Sequence, residues 1–313
     1  MSTYIVKRIA VSLIVLVALA TASFLLIHLV PGDPVRQMLG SGATPQALAS
    51  TRHQLGLDRP LLEQFGEFMG NTFTGHFGDS ITLQTPIGQL IGERIGPSFL
   101  LISYGVVIAL LIGVPLAVLA ALKPQGVADN VIRILTTFTF AMPTFWLGLV
   151  LALIFGLKLG IFPVSGYETG VAGFFKTLTL PALTLGLSLV AMVVRTLRTR
   201  MLTVLDSEYI EAARARGLSE KRIVAVHAMR NSIMTTITVI SVQIGFLIGG
   251  TVVLEYVFQI PGMGTLLLDS VTHRDFPLVA TITVLAGAAV VLVSLLTDLI
   301  QLALDPRVRE AHS

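Results

Sequence analysis

The chain of 313 residues is 54% hydrophobic and 12% charged, against about 25% charged in an average soluble domain. That composition is one of a polytopic membrane protein. The net charge of +3 is dispersed and gathers beside apolar ends, a topology signal rather than a nucleic-acid surface. Without cysteine, disulfides and thiolate metal sites are excluded.

The first apolar run, Ile9–Val30, follows Lys7 and Arg8. A-x-A patterns near Ala18 to Ala22 permit a signal-peptide reading, but the run exceeds the usual h-region of about 7–15 residues. An uncleaved first span is expected. The segment Pro31–Gly96 is mixed and polar, with helix-like pieces such as PLLEQFGEFMGNTF, and is sized for a compact cap or docking platform. Four uncharged runs follow, Pro97–Leu122, Ile134–Gly156, Thr177–Val194 and Ser232–Leu254, and Phe276–Thr297 stops at Asp298. At about 20 residues per crossing the fold class is an all-α membrane protein of six transmembrane helices. It divides into residues 1–30, an extracytoplasmic segment 31–96, a core 97–301 with a cytoplasmic loop 195–231, and a cytoplasmic tail 302–313.

With both termini on one side, 14 Lys and Arg residues fall on that side and 7 on the other. The positive-inside rule therefore puts both termini in the cytoplasm of a multi-pass membrane protein. Pro115, Pro143 and Pro181 lie within spans, and Gly245, Gly249 and Gly250 lie in the fifth. Small residues that let helix backbones approach are the first reading, and a pathway lining is the alternative. Trp146, the sole tryptophan, reads as a packing residue of the third span. Spans one to five hold no Asp, Glu, Lys or Arg, which leaves a proton relay or charged filter little to work with. Asp298 reads as an interfacial carboxylate paired with basic residues.

The charged stretch EYIEAARARGLSEKRIVAVHAMRNS interrupts this oily sequence at Glu208–Ser232. Asp206 or Ser207 can cap a helix, Glu208 and Glu211 suit its first turns, Arg214 and Arg216 its end, and Gly217 is a natural C′ residue. A helix over Ser207–Arg216 is expected, about 15 Å long. Ser219 then caps a second helix through Lys221 to Asn231. The small residues Ala212, Ala213 and Gly217 would admit a partner surface, with Glu211 and the arginines fixing register. An amphipathic connector lying on anionic lipid is the alternative.

EAARARG resembles the EAA-loop core of permease subunits in binding-protein-dependent ABC importers. LVPGDPV at Leu29–Val35, LGLDRPL at Leu55–Leu61, HFGDS at His76–Ser80, GIFPVSGY at Gly160–Tyr167 and LPALTLG at Leu180–Gly186 resemble the dipeptide, oligopeptide and nickel branch. So do LEYVFQIPGMG at Leu254–Gly264, RDFP at Arg274–Pro277 and DPRVR at Asp305–Arg309, in the order of the first of that branch's two permeases. The resemblance implies a type I importer permease in which Glu211, Ala212, Ala213, Arg214, Arg216 and Gly217 contact the ATPase. Arg230 stands where the general importer pattern has proline.

The implied partners are a second homologous permease, one or two P-loop ATPase subunits carrying ATP and magnesium, an extracytoplasmic substrate-binding protein, and membrane lipid. No nucleic acid is expected. The implied cargo is a di- or oligopeptide, with nickel, glutathione or another small solute as the alternative. Pro261, Gly262, Met263 and Gly264 read as a tight turn on the outer side, and by resemblance are candidates for binding-protein contact.

No cofactor, catalytic residue or metal ligand is expected in this chain. Its six histidines, His28, His53, His76, His227, His273 and His312, lack metal-ligand spacing. None of its five lysines follows a glycine, so it has no P-loop and is not itself the ATPase. An intramembrane enzyme lacks any G-x-S-x-G or H-E-x-x-H motif here, and a stand-alone channel has no need of the charged elbow.

Overall fold

The computed structural model describes residues 2–29, 34–39, 42–54 and 56–304. The DPRVR segment with its tail, the VPGD stretch and Leu55 lie outside the described residues. Among the described residues, five helices are long and apolar enough to cross a bilayer: α1 (Ser2–Leu29), α5 (Ile87–Leu122), α8 (Gly170–Leu205), α11 (Met229–Phe258) with its lead-in, and α13 (Phe276–Leu304). Before α5 come α2 (Pro34–Leu39), α3 (Pro45–Gln54) and α4 (Leu61–Thr74), the last covering the helix-like piece read from sequence.

The third expected span is broken. Helix α6 (Val127–Ala141) and α7 (Thr144–Leu151), which continues as a π-helical turn through Lys158, meet at an angle of 106°. Proline denies position 143 an N–H and pushes its predecessor out of the α region. Met142 accordingly sits at φ −81°, ψ 135° and Pro143 at φ −57°, ψ 133°. Trp146, in α7, is 45% exposed, so it is not buried in the packing of this chain.

The chain forms two compact units, residues 98–260 with 293–313, and residues 1–97 with 261–292. In the first, α8 is the centrepiece. Leu178, Leu180, Leu185 and Leu189 from α8 pack with Leu101 of α5, Leu147 of α7, and Leu254 and Phe258 of α11. Glycines set the closest approach: a Cβ on Gly105 would fall 2.6 Å from Leu185, and one on Gly186 only 2.9 Å from the Gly105 carbonyl. By contrast, a Cβ on Gly249 or Gly250 would meet nothing within 4 Å. The close-packing glycines are thus those of α5 and α8, while Gly249 and Gly250 of the fifth span face open space in this chain.

In the second unit, Ile87, Leu90 and Ile91 of α5 pack with Leu266 of α12 (Met263–Thr272) and with Leu278 and Ile282 of α13. Phe24 of α1 meets Phe65 and Phe68 of α4 at ring distances of 5.3 and 5.6 Å. The buried Asp275 joins this unit's sequence-distant parts. It accepts hydrogen bonds from the Ser80 hydroxyl at 2.5 Å, the Thr82 N–H at 3.1 Å and the Leu278 N–H at 3.4 Å. Two motif pieces noted separately, HFGDS and RDFP, therefore meet at one carboxylate.

Candidate functional site

Helix α8 ends at Leu205, and the chain turns at once into α9 (Glu208–Ala215). Eight residues give a rod of about 12 Å, a little shorter than expected because Ser207 and Arg216 are its flanking caps. Ser207 has the extended backbone of an N-cap, but its hydroxyl donates back to the Val204 carbonyl at 2.5 Å and leaves the α9 N–H groups alone. Neither Asp206 nor Ser207 is a side-chain cap. At the other end the expectation holds: Gly217 adopts φ 80°, its N–H bonds to the Arg214 carbonyl at 2.9 Å, and the Leu218 N–H bonds to Ala213 at 3.2 Å. This pair of bonds is a Schellman motif, which closes a helix on a left-handed residue.

Ile210 is fully buried and anchors α9 to the body. Glu211, Ala212, Arg214, Arg216 and Gly217 are exposed and Ala213 is half-buried, so the small residues form an outward surface. A Cβ on Gly217 would meet nothing within 4 Å. Two polar ties hold the corner. Arg214 Nε donates to Glu220 Oε1 at 2.8 Å, a bond that holds the guanidinium pKa above its ordinary value. The Tyr209 hydroxyl accepts from Asn231 Nδ2 at 2.7 Å. An exposed ion pair contributes little stability, so the Arg214–Glu220 pair orients the corner more than it strengthens it.

The second arm is one continuous helical rod from Glu220 to Phe258: α10 (Glu220–Arg222), a π-helical stretch Ile223–Ala228, and α11. Beside the elbow lies a depression of about 560 Å³ lined by Ala121, Leu122, Pro124, Leu205, Asp206 and the Arg214–Glu220 pair. A second ion pair ties α6 to α8. Arg198 reaches Asp129 with both Nε and Nη2 at 2.6 Å, and Asp129 Oδ2 also accepts the Gln125 N–H at 2.8 Å. Asp129 is 0% and Arg198 16% exposed.

The other sequence-derived candidates are placed less openly. Gly262 and Gly264 are buried and Pro261 and Met263 half-buried, and instead of a tight turn they open α12, with Gly262 at the N-cap. The Gly262 N–H bonds to Thr265 Oγ1 at 3.0 Å, a reason for the helical start. Glu255 lies inside the rod and is fully buried, accepting from Ser98 at 2.6 Å. The expectation of charge-free spans fails there, because the helix continues past the apolar run Ser232–Leu254 to Phe258 and takes in Glu255. Asp298 is half-buried.

Against known proteins, the family described as binding-protein-dependent transport system inner membrane component matches residues 113–310, and its N-terminal companion family matches residues 1–87. A probable peptide ABC transporter permease protein of Sinorhizobium fredii is 35% identical over 312 residues, covering 99% of this chain and 100% of the relative. The glutathione transport system permease protein GsiC of Salmonella choleraesuis is 35% identical over 309 residues, covering 99% of each. A chain from an inward-facing structure of the MetNI methionine ABC transporter superposes with TM-score 0.59 at 16% identity, covering 70% of this chain and 98% of that one. At that identity the superposition speaks to the fold alone.

Proposed function

Because the chain belongs to the family of binding-protein-dependent transport system inner membrane components, an ABC importer permease family, we propose that it forms half of an ATP-driven path for small peptides. The full-length relatives that handle peptides and glutathione support that cargo class, glutathione being itself a short peptide. A second homologous permease forms the other half, one or two P-loop ATPase subunits bind ATP and magnesium, and an extracytoplasmic binding protein delivers cargo. This chain supplies no cofactor and no catalytic group. Both termini and the elbow lie in the cytoplasm.

The observation that carries the coupling role is the elbow itself: an exposed eight-residue helix, anchored by one buried isoleucine and closed by a left-handed glycine. Glu211, Ala212, Ala213, Arg214, Arg216 and Gly217 offer it to the ATPase, and Pro261 and Met263 offer a smaller surface to the binding protein. Closure of the ATPases on ATP pulls the elbow and reverses the access of the path. Moving a two-state population from 1:99 to 99:1 takes about 5.5 kcal/mol of differential binding, which a stiff attachment can transmit.

Gly217→Pro tests this directly. Proline fixes φ near −65°, incompatible with φ 80° at this corner, and removes the N–H that bonds to Arg214. The variant complex should insert and assemble in the membrane yet hydrolyse ATP without peptide uptake. Glu211→Arg should give the same uncoupling. Uptake at the wild-type rate in both variants would remove the elbow from the mechanism.

A further inference from the structure

A groove between α6 and α8, of about 180 Å³, is lined by Arg133, Arg195, Arg198 and Thr199 together with Phe140, Ala191 and Met192. Of the three arginines, Arg198 is neutralised by Asp129. Neither Arg133 nor Arg195 makes an ion pair among the described residues, although Arg133 acts electrostatically on Asp129, and both are exposed. Thr136 and Thr137 add hydroxyls to the wall. The groove therefore carries two exposed guanidinium groups together with apolar side chains. On the adjoining face of α6, Ile134 and Phe138 are 68% and 63% exposed.

This combination of cationic and apolar groups is that of a site for an amphiphilic anion. Guanidinium pairs match phosphate oxygens by their planar fork of donors. Basic pockets between membrane helices on the cytoplasmic side favour anionic headgroups, drawn there by the negative surface potential of that leaflet. The cavity has room for several waters at about 30 Å³ each, enough for a phosphodiester but not for acyl chains. The chains would lie along the exposed apolar face of α6.

We propose that Arg133 and Arg195 hold the phosphate of an anionic phospholipid headgroup in this groove, with its acyl chains against Ile134 and Phe138. The proposal rests on the cytoplasmic placement of this end of α6. It is independent of ATPase coupling, and its test uses neither ATP nor cargo, so the two readings fail separately.

The experiment is native mass spectrometry of the full-length chain in its transporter complex, titrated with phosphatidylglycerol or phosphatidylcholine of identical acyl chains. The wild type should prefer phosphatidylglycerol, and Arg133→Gln/Arg195→Gln should lose that preference by about thirtyfold, the scale of two basic contacts at an anionic surface. Lys123→Gln/Arg200→Gln removes two exposed basic residues outside the groove and should leave the preference intact. Equal losses in the two double variants would reduce the effect to general surface charge and overturn the site. Displacement of phosphatidylglycerol by millimolar inorganic phosphate, or by a peptide carboxylate, would overturn the lipid as occupant. Should the Gln pair fail to insert, Arg133→Lys/Arg195→Lys keeps the charge without the fork and should lower the preference only partly; an unchanged preference there would overturn the guanidinium geometry.

Discussion

Replacing Arg198 by alanine should be the most damaging single change in the α6–α8 contact. Asp129 has no exposed surface and three hydrogen bonds, two from Arg198 and one from the Gln125 N–H. Removing the guanidinium leaves a buried carboxylate with one neutral donor. Breaking such a pair by deleting one partner costs about 3–5 kcal/mol; the adjoining groove admits water, which places Arg198→Ala at the lower end, about 3 kcal/mol. With an unfolding entropy of about 2.1 cal/mol/K per residue, the corresponding fall in Tm is roughly 5 °C. The assay is thermal unfolding of the detergent-solubilised chain, followed by loss of the monodisperse peak in size-exclusion chromatography. Arg198→Ala/Asp129→Leu removes both charges and should recover most of the loss, since well-packed apolar substitutes for a buried pair are often neutral. If the double variant is as unstable as Arg198→Ala, or if Arg198→Ala loses less than about 1 kcal/mol, the uncompensated-charge argument is refuted.

Two further changes probe the packing. Gly186→Ala should destabilise the chain by about 1–3 kcal/mol, the range for overpacking, because its Cβ would meet the Gly105 backbone, which cannot swing aside. Gly249→Ala should instead stabilise the isolated chain by about 0.5–1 kcal/mol, the ordinary gain from helix-interior Gly to Ala; thermal unfolding of the two variants side by side checks the contrast. Asp275→Ala should free the loop around Ser80 and Thr82 by removing their shared acceptor, at about 1–3 kcal/mol for the donors left behind. Limited proteolysis should then cut near residues 76–86 in the variant and not in the wild type.

The elbow was legible in the sequence because its determinants are local. A glycine after an Arg-rich last turn and acidic residues in the first turn specify a short helix and its end without reference to anything distant. Hydropathy located the crossing helices for a similar reason, since each run carries its own signal. It carries no sense of direction, however: Pro143 lies in a single apolar run, and only the structure shows the 106° bend there. Charge misleads in the opposite sense: the apolar run stops before Glu255, a buried carboxylate that accepts from Ser98, 157 residues away. The Asp129–Arg198 and Ser80–Asp275 partnerships leave no periodic or spacing trace either. They are made by tertiary placement, and the groove at Arg133 and Arg195 exists only because α6 lies along α8.

The partnership of Ser80 with Asp275 also sets a timetable for biogenesis. The two residues lie 195 positions apart, and chains are synthesised at about 5–20 residues per second. The segment ahead of α5 thus waits about 10–40 s for its acceptor to emerge from the ribosome. During that interval Ser80 keeps only its local bonds with Leu83, Gln84 and Thr85, and its hydroxyl and the Thr82 N–H are without the carboxylate that ties them to the far end of the chain.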